Sequence, residues 1–131
     1  MGEKEYTEEE KRNLEVVKEW AHCWNTPGLA ARLVDEIYTD QCEVFTPLQN
    51  IYHAKMGKSK KSWRRLELEV EKLYKKREMR IVSTVSRGDT IALEAAITLI
   101  TVKGRTIEGW FAAFLKFKDG RIFEDHTYMK L

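Results

Sequence analysis

Residues Thr106 to Met129, TIEGWFAAFLKFKDGRIFEDHTYM, set the architecture. At the centre, Lys118-Asp119-Gly120-Arg121 is a tight turn, because an Asp-Gly pair accepts the positive φ that a short hairpin loop demands. Side chains alternate on either side of it. Ile107, Gly109, Phe111, Ala113, Leu115 and Phe117 share one face before the turn, and Phe123, Asp125, Thr127 and Met129 share one after it, by the period of two of an extended chain. The stretch is a long hairpin, roughly ten residues per strand against a norm of ~5–6.

Upstream, the alternation continues. Ile91 to Val102 is a long apolar strand, reached from Ile81–Val85 through the turn Arg87-Gly88-Asp89-Thr90 and leaving through Lys103-Gly104-Arg105. Before Ile81 the period changes to three and four. Trp63, Leu66, Val70, Leu73 and Tyr74 mark a helix that begins between Lys55 and Lys60. Cys42 to Thr46 is a short strand that Pro47 stops. Leu29, Leu33, Val34 and Ile37 mark a helix ending near Tyr38, with Pro27 suited to its first turn. Leu14, Val17, Trp20, Ala21 and Trp24 mark the first helix, with Val16 and Cys23 widening the stripe and Asn25-Thr26-Pro27-Gly28 ending it. Its start is Thr7 followed by Glu8, Glu9 and Glu10, a hydroxyl cap with carboxylates on the positive end of the helix dipole. The polar residues 1–7 predict a frayed start. Three helices followed by an antiparallel meander give an α+β domain over residues 1–131, a cone closed by helices on the concave side of a curled sheet.

Composition sets the limits of function. The chain has 131 residues, 43% hydrophobic and 34% charged, with a net charge of +2. That profile excludes a disordered arm, a collagen-like repeat and an acidic or basic tail. No apolar run approaches the ~18–20 residues of a membrane span, and the start lacks the charge order of a signal peptide. Cys23 and Cys42 are too few for a disulfide framework and lack metal spacing, so a reduced, cytoplasmic protein is expected, with both thiols packed as small hydrophobes. From Lys55 to Arg77 there are ten Lys or Arg against three Glu; with near-balanced charge elsewhere, this reads as a solvated helix face and not as a nucleic-acid site.

The strand faces locate a site. The most apolar face of each strand should meet the helices, which leaves Asp125 and Thr127 as the polar members of a greasy concave surface. Glu94, Glu108, Lys116, Glu124 and His126 fall on the convex side, together with Ile100, Trp110, Phe114 and Tyr128. Exposed aromatics of that size mark a partner surface, and a homodimer through the convex sheet is the natural assembly.

Three segments carry a resemblance. Glu19-Trp20-Ala21-His22-Cys23-Trp24-Asn25 with Pro27-Gly28-Leu29, then Tyr38 to Pro47, then Phe114 to His126 are similar to the first helix and its break, the strand entering the cone and the final hairpin of the nuclear transport factor 2-like superfamily. Within it the chain resembles the SnoaL-like proteins, a group of polyketide cyclase and ketosteroid isomerase type. The likeness spans nearly the whole chain and specifies fold better than function, because this superfamily hosts several enzyme chemistries and non-enzymes.

Each chemistry the resemblance implies can be held against the residues. The ketosteroid isomerase set would fall on Thr46, Trp20 and Ala113, so all three of its groups are replaced, and Thr46 cannot take a proton at neutral pH. The epoxide hydrolase set would fall near Ala95, Ile97 and Thr127, and the dehydratase aspartate near Asn25, with no histidine on a concave face to pair with it. The cyclase pattern, an aspartate on the last strand, leaves Asp125 as the catalytic candidate. Desolvation in an apolar interior should raise its pKa and suit it to proton shuttling. A salt-bridged structural carboxylate is the competing role.

Trp20, Trp24, Phe45, Trp63, Phe111 and Phe123 are expected to line the cavity, with Thr46 and Thr127 as its other polar groups. The expectation is a cofactor-free, metal-free enzyme that isomerises or cyclises a hydrophobic, cyclic small molecule; a ligand carrier or dimeric association module of the same fold is the alternative. His22 is read as solvated, His53 as a loop residue near the mouth, and His126 as facing away from Asp125.

Overall fold

The computed structural model describes residues 5–46 and 60–131. Helix α1 (Glu8–Asn25) and helix α2 (Ala30–Ile37) lead into strand β1 (Tyr38–Phe45). Helix α3 (Lys60–Glu71) is followed by β2 (Tyr74–Arg87), β3 (Thr90–Thr101), β4 (Thr106–Lys118) and β5 (Arg121–Lys130). The five strands form one sheet in the order β1-β5-β4-β3-β2.

Three expectations change. The sheet is antiparallel only from β5 to β2, since β1 enters parallel to β5. Strand β1 starts at Tyr38, where α2 ends, instead of at Cys42. Strand β2 starts at Tyr74 instead of Ile81, so Leu73 and Tyr74 do not extend the stripe of α3; Leu73 is exposed. In the last two cases pairing with a neighbouring strand recruits residues whose own pattern is ambiguous. Pro47 and His53 lie outside the described residues.

Helix α1 is pinned to β2 at both ends. Thr7 and Glu10 form a capping box, in which the Glu10 N–H donates to Thr7 Oγ1 at 3.1 Å and the Thr7 N–H to Glu10 Oε1 at 2.9 Å. The other carboxylate oxygen of Glu10 accepts the Gly88 N–H at 2.7 Å, fastening the helix to the β2–β3 turn. At the far end the Asn25 amide clasps the backbone of Met79, accepting its N–H at 2.7 Å and donating to its carbonyl at 3.1 Å. Helix α2 has no side-chain cap of its own. Glu71 at the end of α3 replaces one, its Oε2 accepting the N–H groups of Gly28 and Ala30 at 3.0 and 3.3 Å.

The core lies where expected, between the helices and the inner faces of Ile91, Leu93, Ala95 and Ile97 on β3 and Phe111, Ala113, Leu115 and Phe117 on β4. On β5 the inner face changes at a bulge. Lys116 pairs with Glu124 and Phe117 with Ile122, leaving Phe123 as the extra residue. Ile122 is consequently fully buried and enters the core, which leaves Phe123 partly buried and outside it.

A carboxylate at the bottom of an aromatic cavity

The cavity opens between α1, α3 and the concave sheet. Helical spacing brings Trp20 and Trp24 from α1 and Trp63, Glu67 and Val70 from α3 to its wall. Extended spacing brings Arg77 and Met79 from β2, Phe111 from β4, and Asp125, Thr127 and Met129 from β5. Tyr38 and Thr46, at the two ends of β1, complete the polar lining. The volume is about 60 Å³, against roughly 10–15 Å³ needed to hold one water.

Asp125 is 3% exposed. Its Oδ2 accepts the Tyr38 hydroxyl at 2.6 Å and its Oδ1 accepts the Thr127 hydroxyl at 2.7 Å. The indole N–H of Trp20 donates to Tyr38 Oη at 3.0 Å. An indole can only donate, so the phenol oxygen accepts from it and the single phenol proton points at Asp125. Burial pushes the Asp125 carboxyl above the ordinary carboxylate range; the bonds from Tyr38 and Thr127 act against that rise, and His126 also lowers it. Burial, reinforced by the neighbouring Asp125, holds the Tyr38 phenol well above its usual range, so it stays a proton donor. The site is a desolvated carboxylate held in a fixed orientation by neutral donors, with no salt bridge to a cation among the described residues.

A second polar group faces the same cavity. Arg77 Nη1 meets Glu67 Oε1 at 2.5 Å, with both side chains buried, and the guanidinium stacks on the Trp24 ring at 4.7 Å.

Trp20, Trp24, Trp63, Phe111, Thr46, Asp125 and Thr127 all lie on the cavity wall. Phe45 and Phe123 do not. Phe45 follows Val44 and precedes Thr46, both buried; alternation turns it outward, 46% exposed, with its ring 5.9 Å from His126 and 5.6 Å from Tyr128 on the convex face. Phe123 is displaced from the wall by the β5 bulge. Sequence reasoning missed Tyr38, which it placed at a helix end, and Glu67 and Arg77, which it counted within a solvated basic stretch. One signal for Glu67 was present: it follows Trp63 by four residues and Leu66 by one, on the apolar side of α3.

His126 sits opposite Asp125 across the sheet, its Nε2 3.3 Å from Glu124 Oε1, and His22 is exposed. Cys23 and Cys42 are free and buried. No cluster of three or more His, Cys, Asp or Glu suited to a metal ion occurs among the described residues, and none of their helices is long and apolar enough to cross a membrane.

The chain superimposes on a candidate SnoaL-like polyketide cyclase from Jannaschia sp. CCS1 with a TM-score of 0.79 and 13% identity, covering 98% of this chain and 92% of that one. The fold is that of the SnoaL-like proteins. IdmH, a candidate polyketide cyclase from Streptomyces antibioticus, matches the same cone with a TM-score of 0.72 and 14% identity over 90% of this chain and 91% of its own. A protein of ketosteroid isomerase-like fold from Catenulispora acidiphila, solved with trimethylamine, matches with a TM-score of 0.71 and 18% identity over 89% and 86%. Comparison with family models finds no match, and neither does comparison with curated proteins. At these identities the likeness defines the nuclear transport factor 2-like cone and leaves the chemistry to the residues within it.

Proposed function

We propose that this cone is an acid–base enzyme that isomerises or cyclises a small hydrophobic ring compound, with Asp125 moving the proton. The observation that carries this reading is the desolvated carboxylate on the cavity wall. Such a base takes a proton from the carbon between a carbonyl and a C=C bond: the C–H electrons form a new C=C bond to the carbonyl carbon, and the carbonyl π electrons move to oxygen. As they return, the far carbon of the original C=C bond takes the proton from Asp125, which shifts the double bond. The step requires a positioned proton acceptor and a donor that meets the developing charge on the substrate oxygen. Tyr38 and Thr127 orient Asp125, and Thr46 stands on the same wall to meet a substrate oxygen.

A panel of cyclic ketones, lactones and epoxides assayed with wild type and Asp125→Asn tests the reading. Turnover that falls by at least about a hundredfold in the folded variant supports it; turnover that survives the substitution rejects it. One observation favours the second reading, a ligand-binding module. Both oxygens of Asp125 already accept hydrogen bonds, and on that view wild type binds ring compounds without converting any.

The proposal extends to assembly. Trp110, Phe114 and Tyr128 are about half exposed on the convex face, and Phe45 joins them. Ile100 lies on that face too. We infer a homodimer through this surface.

A further inference from the structure

The Glu67–Arg77 pair joins α3 to β2, but stability alone does not account for a charged pair in that position. Removing two charges from water is costly, and a buried pair of this kind is seldom better for stability than apolar residues of the same volume. Beyond their mutual contact, Arg77 Nη2 and Glu67 Oε2 have no hydrogen-bond partner among the described residues. A third group on the same wall shares this condition. Trp63 is 6% exposed, and its indole N–H has no acceptor there. Buried donors are almost always paired. Here two of them, from α3 and β2, line the cavity that also holds Asp125.

We propose that Arg77 and Trp63 form a second pole of the cavity that holds a neutral acceptor oxygen of the ligand, a carbonyl or a hydroxyl. The balance of charge selects a neutral oxygen over an anion. Glu67 already offsets Arg77 and Asp125 adds another carboxylate, so a ligand carboxylate would face two carboxylates and one guanidinium. The two donors also select an oxygenated ring over a hydrocarbon, which would leave both unpaired. Glu67 is a positioning residue here: it holds the guanidinium over the Trp24 ring. The inference rests on the cavity being a binding site, as proposed above, but not on Asp125 moving a proton.

Three ring compounds of nearly equal shape separate the cases: acetophenone, α-methylstyrene, which replaces the carbonyl oxygen by a methylene, and benzoate. Each is titrated into ¹⁵N-labelled protein, following the indole N–H resonances. Acetophenone is expected to shift the Trp63 indole signal and to bind at least about tenfold tighter than the other two, the size of one hydrogen bond to a charged donor. That preference over α-methylstyrene should shrink in Trp63→Phe and in the paired variant Glu67→Met with Arg77→Met, which leaves no lone buried charge and so stays folded. Equal binding of ketone and hydrocarbon overturns the proposal. So does benzoate binding tightest, or a ketone preference unchanged in both variants. Asp125→Asn should lose turnover yet keep the preference, so a failure of proton transfer and a failure of the oxygen site give different results.

Discussion

Among single residues, Asp125 adds a pH dependence to the stability of the protein. Its folded pKa lies above the ~3.9 of an unfolded chain, with burial as the main cause. The folded state therefore holds this proton more tightly than the unfolded state does. The resulting stability is fully present below the unfolded pKa and is lost as pH rises through the folded one. Each tenfold difference in proton affinity between the two states is worth about 1.4 kcal/mol. Denaturant melts of wild type should show this decline, and Asp125→Asn should lack it; equal slopes in both would contradict the assignment. Tyr38→Phe removes a donor that lowers the Asp125 pKa, so an NMR titration should find the carboxyl raised further. The same change leaves the Trp20 N–H without its acceptor, at a cost of about 1–3 kcal/mol.

Individual elements explain why some of the site was legible and some was not. Asp125 and Thr127 were readable because two residues apart on a strand means one face, and the β3–β4–β5 meander keeps that alternation. Phe123 was misread because a bulge is a property of the pair of strands: nothing within Arg121–Lys130 states that Lys116 skips it to meet Glu124. Phe45 and Thr46 could not both face inward, since neighbours on a strand point to opposite sides. Arg77 was hidden by its company, with Lys75 and Lys76 both exposed and only the guanidinium of Arg77 turned under α3 to Glu67. That ion pair ties α3 to the first strand of the meander. Glu67→Leu alone strands a buried guanidinium and should cost about 3–5 kcal/mol in a denaturant melt, more than the double Met replacement. A loss no larger than that of the double variant would show that the guanidinium finds water or another partner.

The molecule as a whole presents two apolar surfaces, the cavity inside the cone and the aromatic patch on its convex back. Phe45, Tyr128 and Phe114 run ring to ring across β1, β5 and β4, with centroids 5.6 and 6.3 Å apart. Phe114→Glu places a charge in the centre of the proposed interface without touching the cavity. Sedimentation should then report a monomer where wild type is a dimer, while acetophenone binding is retained. A wild type that sediments as a monomer at micromolar concentration would remove the assembly proposal and leave the cavity untouched.

Local sequence was enough for the order of elements, the two faces of β3 and β4, the cap of α1 and the burial of Asp125. Each of these follows from periodicity and turn chemistry, which act over a few residues. Three features came from the folded chain alone: Tyr38 completing the carboxylate site, Ile122 replacing Phe123 in the core, and Glu67 meeting Arg77 inside the cavity. The physical reason is the same in all three. The parallel entry of β1, the skipped residue on β5 and the crossing of α3 over β2 depend on contacts between segments far apart in the chain, and no local pattern encodes a partner's position.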